Sequence, residues 1–231
     1  MQISRSYDSI YTNKGGTLFL HIHVNDGFLI GKSGSEILNF LERLNLRVKL
    51  KFKRRPTQHL GYHLDWKSDG SVDLTQKDLI LKLLKDNEMK GRRGVKTLCN
   101  TKLLKELEAV GEAVMTTYFQ RAIETINYIA QNQKADIIFA INSLSRHLTH
   151  PNAIHRVALK HLMRYLKGSL DFILCYSKPI RNDSHALLGW ADAHYANYRV
   201  ECKSILGNLS TFCGNCNEKF LMYLIISMSN K

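Results

Sequence analysis

The sequence has no apolar run long enough to cross a bilayer. Its longest, Phe220 to Ile226, is about 7 residues, against the ~20 that a transmembrane helix needs, so no membrane partner is expected. It also lacks a secretory leader: Met1 to Gly16 mixes Arg5, Asp8 and Lys14 with hydroxyl residues and has no apolar core. Cysteine is sparse and odd in number. Cys99, Cys175, Cys202, Cys213 and Cys216 are scattered, so a reduced compartment, cytoplasmic or nuclear rather than secreted, fits better than a disulfide framework. Without a leader, the glycosylation-like Asn208-Leu-Ser210 is read as chance. Above all the chain is short of acid, with 20 Asp+Glu against 33 Lys+Arg, a net charge of +13 over 231 residues. The rest of the composition, 44% hydrophobic and 23% charged, is that of a globular protein and excludes disordered and collagen-like classes. A positive surplus of this size specifies no fold, but it favours polyanionic partners, nucleic acid before anionic membrane.

The first stretch reads as strands and turns. Ser9 to Thr12 leads to the turn cluster Asn13-Lys-Gly-Gly16, then Thr17 to Val24 is rich in β-formers, and Phe28-Leu-Ile30 follows Asn25-Asp26-Gly27. This predicts a hairpin with an acidic tip. Ser33-x-x-Glu36 has capping-box spacing, and Ile37, Phe40, Leu41 and Leu44 then recur on one helical face. From Arg47 to Lys53 the period changes to two, with Val48, Leu50 and Phe52 alternating with Arg47, Lys49, Lys51 and Lys53, which predicts a half-buried strand with a basic face. His59 to Trp66 and Ser71 to Leu74 flank a Ser68-Asp-Gly70 turn, and Thr75-x-x-Asp78 suggests a second capping box before Ile80, Leu83 and Leu84.

Gly91-Arg-Arg-Gly94 reads as a linker, and Leu103 to Val110 as a short helix. Three helical stripes follow: Phe119, Ala122, Ile123, Ile126 and Ile129; then Ile137, Ala140, Ile141, Leu144 and Leu148; then Ile154, Val157, Ala158, Leu162 and Leu166, the last framed by Pro151 and Gly168. Phe172 to Tyr176, Ala186 to Trp190, Ile205 to Phe212 and Phe220 to Ser227 read as strands.

In this order the segments resemble the reverse transcriptase and ribonuclease H region of copia-type LTR retrotransposon Pol polyproteins. Leu20-His-Ile-His-Val-Asn-Asp-Gly-Phe-Leu-Ile30 is similar to the palm hairpin, usually Tyr-Val-Asp-Asp followed by aliphatic residues. His59-Leu-Gly-Tyr-His-Leu64 and Val72-Asp-Leu-Thr-Gln-Lys77 are similar to the strand and helix start that follow it. Ala135 to Arg146, His150-Pro151 and Ala158 to Gly168 match the helical segment between polymerase and ribonuclease H. Gly189-Trp-Ala-Asp-Ala-His194 and Lys203-Ser-Ile-Leu-Gly207 look like the first two ribonuclease H strands.

The resemblance implies an α+β fold in three parts: the C-terminal part of the palm and start of the thumb in residues 1–90, a helical thumb and connection region in 91–170, and the first strands of a ribonuclease H-like fold in 171–231. It implies RNA-directed DNA polymerase chemistry on a primer-template of RNA and DNA, with Mg²⁺ and, as a further partner, the rest of a Pol polyprotein, carried in the family in cytoplasmic virus-like particles. Asp26 takes the position of a palm acid and metal ligand, and Asp192 that of the first ribonuclease H acid and metal ligand. Asn25, however, stands where the family has the other acid of the adjacent pair, and the palm's upstream acid has no candidate before the hairpin. Two-metal transfer needs carboxylates around both ions, and each one lost forfeits roughly 4 kcal/mol of attraction at ~4 Å and an effective dielectric near 20. The later ribonuclease H acids have no counterpart before Lys231. The chain alone is therefore predicted inactive, with a non-enzymatic nucleic-acid-binding remnant as the alternative.

Plainer readings stand beside these. Asp26 can be a turn acid and Asp192 an exposed strand residue. His21 and His23 share a strand face but read as ordinary strand positions, and Cys213-x-x-Cys216 is half a zinc site with no second half. Arg47, Lys49, Lys51 and Lys53, with Arg54 and Arg55, either face primer-template phosphates or form a solvated edge that discourages aggregation. Lys160, Arg164 and Lys167 read as the wet face of an amphipathic helix.

Overall fold

The computed structural model describes residues 2–3, 9–23, 26–31, 33–49, 51–69, 71–98, 106–176, 187–198, 203–212 and 226–228. The chain is mixed α+β, and it divides into two compact units, Met1–Arg54 and Arg55–Lys231.

The first unit is one antiparallel sheet with a helix on it. Strands β1 (Gln2–Ile3), β2 (Ile10–Thr12), β3 (Leu18–His23) and β4 (Asp26–Gly31) lie in that order, followed by helix α1 (Gly34–Asn45). The expected hairpin is present, with Leu18 opposite Gly31 and His23 opposite Asp26. Helix α1 covers the row containing Leu18. A Cβ on Gly31 would sit 2.8 Å from Leu18 Cδ1 and 2.9 Å from Ile37 Cγ1, so glycine admits the helix there. Only half of the first capping box forms. The Ser33 side chain accepts from the Glu36 N–H, but the Glu36 carboxylate turns away to accept from Thr17 Oγ1 at 2.6 Å and Asn13 Nδ2 at 2.8 Å.

The basic strand expected at Arg47 to Lys53 does not form. Helix α1 ends in a turn, with the Arg47 and Val48 N–H groups both donating to the Leu44 carbonyl, and the described residues from 47 to 55 are irregular and exposed. Val48 is 54% and Phe52 59% exposed, so the alternation buries neither of its described apolar residues. A strand needs a neighbour to satisfy its backbone groups, and crowded like charges discourage one from docking.

The second unit holds the main core. Strands β5 (Gln58–His59), β6 (Tyr62–Trp66) and β7 (Val72–Thr75) make the expected hairpin region. Helices α2 (Lys77–Asp86), α3 (Thr116–Asn132), α4 (Ile138–Ser145, entered through a 3-10 turn at Ala135–Ile137) and α5 (Ala153–Gly168) follow. Ile80, Leu83, Leu84, Phe119, Ile123, Ile126, Ile129, Ile141, Leu159, Leu162 and Leu166 form one apolar cluster. The periods of α2, α3 and α4 are thus as read. On α5 the buried row is rotated: Val157 is exposed, while His155, Leu159 and Met163 are buried. The second capping box is absent, because α2 starts after Gln76 with no side-chain cap.

Strand β8 (Leu174–Tyr176), read among the C-terminal strands, pairs with β7 and closes a β5-β6-β7-β8 sheet. Strands β9 (Leu187–Tyr198), β10 (Lys203–Phe212) and β11 (Ile226–Met228) make a third antiparallel sheet, ordered β11-β10-β9. Cys213, Cys216 and residues 220–225 lie outside the described residues, as do the first three residues of the short helix expected at Leu103 to Val110, whose residues 107–110 are turn and irregular chain. Among the described residues no helix is long and apolar enough to cross a membrane.

Candidate functional site

The palm-like hairpin is built by strand register. His23 pairs with Asp26, so two residues, 24 and 25, connect β3 to β4, the length that favours the tightest hairpins. Asn25 itself lies outside the described residues. Residue 26 opens β4 and falls in the row that holds Phe28 and Ile30 and, across the pair, Phe19 and His21. That row is the one α1 leaves bare, with Phe19 44% and Ile30 55% exposed. The acid position thus stands at the end of an open apolar sheet face.

Asp192 lies on β9 opposite Gly207, and it is exposed. It belongs to the second unit and Asp26 to the first. Among the described residues no three His, Cys, Asp or Glu side chains gather to hold a metal ion. No step is routed through a metal ion.

Arg47, Lys49, Lys51, Lys53, Arg54 and Arg55 are all exposed, and the first unit ends at Arg54. The second unit is anchored just beyond, where Trp66 Nε1 donates to the Pro56 carbonyl at 2.8 Å. Of the six cations, on irregular chain, five belong to the first unit and Arg55 opens the second.

Three polar features escape a reading by residue type. Lys134 is only 3% exposed, donates to the Ser169 and Phe172 carbonyls, and lies 4.8 Å over the Phe172 ring. Burial pushes its ammonium down to about 8, against partial support from Asp136 and Asp171. His155 is buried at the third position of α5. Its Nδ1 accepts from the Asn152 N–H at 2.9 Å, Nε2 donates to the Leu107 carbonyl at 2.7 Å, and Asn152 Oδ1 accepts from the His155 N–H at 3.1 Å. This is a capping box with His in place of Glu, and the ring stacks on His147 at 4.0 Å. Arg164 and Lys167, read as solvated, hold backbone instead: Arg164 Nε donates to the Arg93 carbonyl and Lys167 Nζ to those of Lys90 and Arg92.

Sequence comparison supplies the lineage. The chain is 25% identical over 162 residues to the transposon Ty5-1 protein of Saccharomyces cerevisiae, 70% of this chain and 52% of that protein. It is 28% identical over 207 residues to the retrovirus-related Pol polyprotein from transposon TNT 1-94 of Nicotiana tabacum, and 25% identical over 190 residues to that from transposon RE1 of Arabidopsis thaliana. Its homologues are retrotransposon Pol polyproteins. The resemblance carried by the motif order is borne out at that level. The chain spans about half the length of the Ty5-1 protein, and 15% and 13% of the two plant polyproteins. No protein-family profile matches it, and no solved structure does.

Proposed function

We infer that this Pol-derived chain is a segment of a retrotransposon reverse transcriptase, running from the palm hairpin through thumb and connection helices into the first ribonuclease H strands. Alone, it binds primer-template without extending it. The observation that carries the reading is the β3-β4 hairpin, whose two-residue connection ends at Asp26, the family's acid position, in a chain homologous to Pol polyproteins. The hairpin ends an open sheet face and is followed by an exposed run of six cations, an arrangement suited to a phosphate backbone.

Inactivity follows from Asn25. An amide can lend a carbonyl oxygen to Mg²⁺ but no charge. Primer extension on an RNA template with Mg²⁺ or Mn²⁺ is expected to give no product above a no-protein control. Clear incorporation overturns this part of the reading. Binding to the same primed heteroduplex is expected to weaken steeply as salt rises, which distinguishes a nucleic-acid-binding remnant from an inert fold.

A further inference from the structure

The second unit carries a basic surface that the proposed function does not use. Helix α5 contains no Asp or Glu, and Arg156, Lys160, Arg164 and Lys167 recur along it at steps of four, four and three residues. At 1.5 Å per residue this is a stripe about 16 Å long on one helical face. Against the same helix lies the loop that bears Lys90, Arg92, Arg93 and Lys96, all exposed and with no acid from residue 89 to 96.

The loop is held by specific bonds. Val95 N–H donates to the Arg164 carbonyl at 3.1 Å, Arg164 Nε to the Arg93 carbonyl at 2.9 Å, and Lys167 Nζ to the Arg92 carbonyl at 2.7 Å and to that of Lys90. His161 Nε2 bonds the Thr97 carbonyl at 3.0 Å. Gly94 and Gly168 permit the approach, since a Cβ on Gly94 would sit 2.9 Å from Gly168 Cα. Carbonyl partners satisfy the donors without cancelling their charge. Among the described residues none of these eight cations is in an ion pair.

Eight like charges without an ion pair on one surface repel each other, and a polyanion relieves that repulsion while releasing its own condensed counterions. We propose that α5 and the 90–96 loop form a docking surface for a nucleic-acid backbone, separate from the 47–55 run. The proposal rests on the reading that nucleic acid is the ligand and goes beyond it in placing a second, preorganised contact. Shape favours this occupant. The stripe matches about five phosphates of one strand at 3.4 Å of axis each. An anionic membrane calls for apolar side chains to insert beside the charge, and Val157 is the one large apolar residue strongly exposed on α5, with none on the loop.

The test is fluorescence anisotropy of the full chain on a short labelled duplex, from about 50 to 200 mM salt. The variant Arg92→Gln, Arg93→Gln, Lys96→Gln and Arg156→Gln removes four exposed side chains and spares Arg164 and Lys167, which hold the loop; an unchanged thermal melt checks the fold. The salt slope is expected to fall by about one for each phosphate that is no longer neutralised, with affinity weakened about tenfold or more at the upper end of the series. A control variant replaces Arg47, Lys49, Lys51 and Lys53 with Gln. If the control loses affinity while the four-site variant binds with the wild-type slope, the α5 surface is refuted and binding through the 47–55 run stands. If neither variant changes the slope, both placements fail. Competition by inorganic phosphate at matched ionic strength, or loss confined to phosphatidylserine vesicles with duplex binding intact, also refutes the nucleic-acid assignment.

Discussion

Gly168 faces Val95 so closely that a Cβ on residue 168 would lie 2.3 Å from the Val95 carbonyl oxygen and 3.1 Å from its N and C atoms. The intruded-upon atoms are backbone, and their segment is fastened to α5 by the Arg164 and Lys167 bonds. Neither partner can yield by a rotamer change. Gly168→Ala is therefore expected to destabilise the second unit by about 2–3 kcal/mol, in the range of overpacking in a well-packed site. Urea melts read through the tryptophans check this, and a loss under about 0.5 kcal/mol would show that the loop is not fixed on the helix.

That close approach also shows what the sequence could reveal. Gly168 was legible as a helix stop, and the 3.6 period of Phe119, Ile123, Ile126 and Ile129 marked α3, because such stripes are local and repeat. The partner of Gly168 was not legible, since nothing in Gly91-Arg-Arg-Gly94 indicates that it is pinned rather than a linker. Long-range pairing defeated the reading of β8, which joins β7 across about a hundred residues of chain. Residue type gave no sign of Lys134 and His155, whose burial depends on carbonyl partners distant in the chain. In the candidate site, hairpin spacing put Asp26 at the tip between two strands, where it opens β4, whereas the strand read near Asp192 stopped at Trp190 and only the resemblance put that acid on a strand, which runs on to Tyr198. What surrounds each acid depends on neighbours distant in the chain, which spacing does not encode.

Lys134 gives a pH prediction with a definite sign. Burial disfavours its charged form, so the folded chain releases the proton near pH 8, while the unfolded chain holds it to about 10.5. The unfolded state binds more protons between those values, so stability rises with pH across the window and is lowest below it. Lys134→Met abolishes this group's contribution. The wild-type minus variant difference in unfolding free energy should grow in favour of the wild type by about 3 kcal/mol from pH 8 to 10.5. Taking the difference cancels the titration of other lysines and tyrosines. A difference flat with pH, from denaturant melts at matched ionic strength, would falsify the assignment.

Gln76 makes the opposite kind of prediction. It is 1% exposed, and neither Oε1 nor Nε2 has a hydrogen-bond partner among the described residues. Its backbone N–H is satisfied separately, by Gln133 Oε1 at 2.7 Å. A buried amide without partners costs about 1–3 kcal/mol, and methionine has similar length and flexibility. Gln76→Met is expected to raise stability by about 1 kcal/mol, with a Tm increase of a few degrees. A decrease would mean that the amide has a partner after all.

The first unit depends on polar joints more than on core. Leu18 is its one buried large apolar residue among those described, and a small apolar core contributes little by itself. Glu36 compensates. One carboxylate oxygen accepts from Thr17 Oγ1 at 2.6 Å and Asn13 Nδ2 at 2.8 Å, while Asn13 Oδ1 accepts from the Thr17 and Leu18 N–H groups. The turn before β3 is thereby tied to the first turn of α1. Glu36→Ala leaves the Thr17 hydroxyl without its acceptor and the Asn13 amide with only Thr17 Oγ1, at 2.8 Å, a loss of about 2 kcal/mol at charge-assisted strength, whereas Glu36→Gln keeps an acceptor and should cost less. Native-state hydrogen exchange distinguishes this from a global effect. Amides of β2 to β4 should lose protection in Glu36→Ala while those of α3 and α5 keep theirs, because the units are separately compact. Equal loss in both units would show that the joint stabilises more than the sheet it closes.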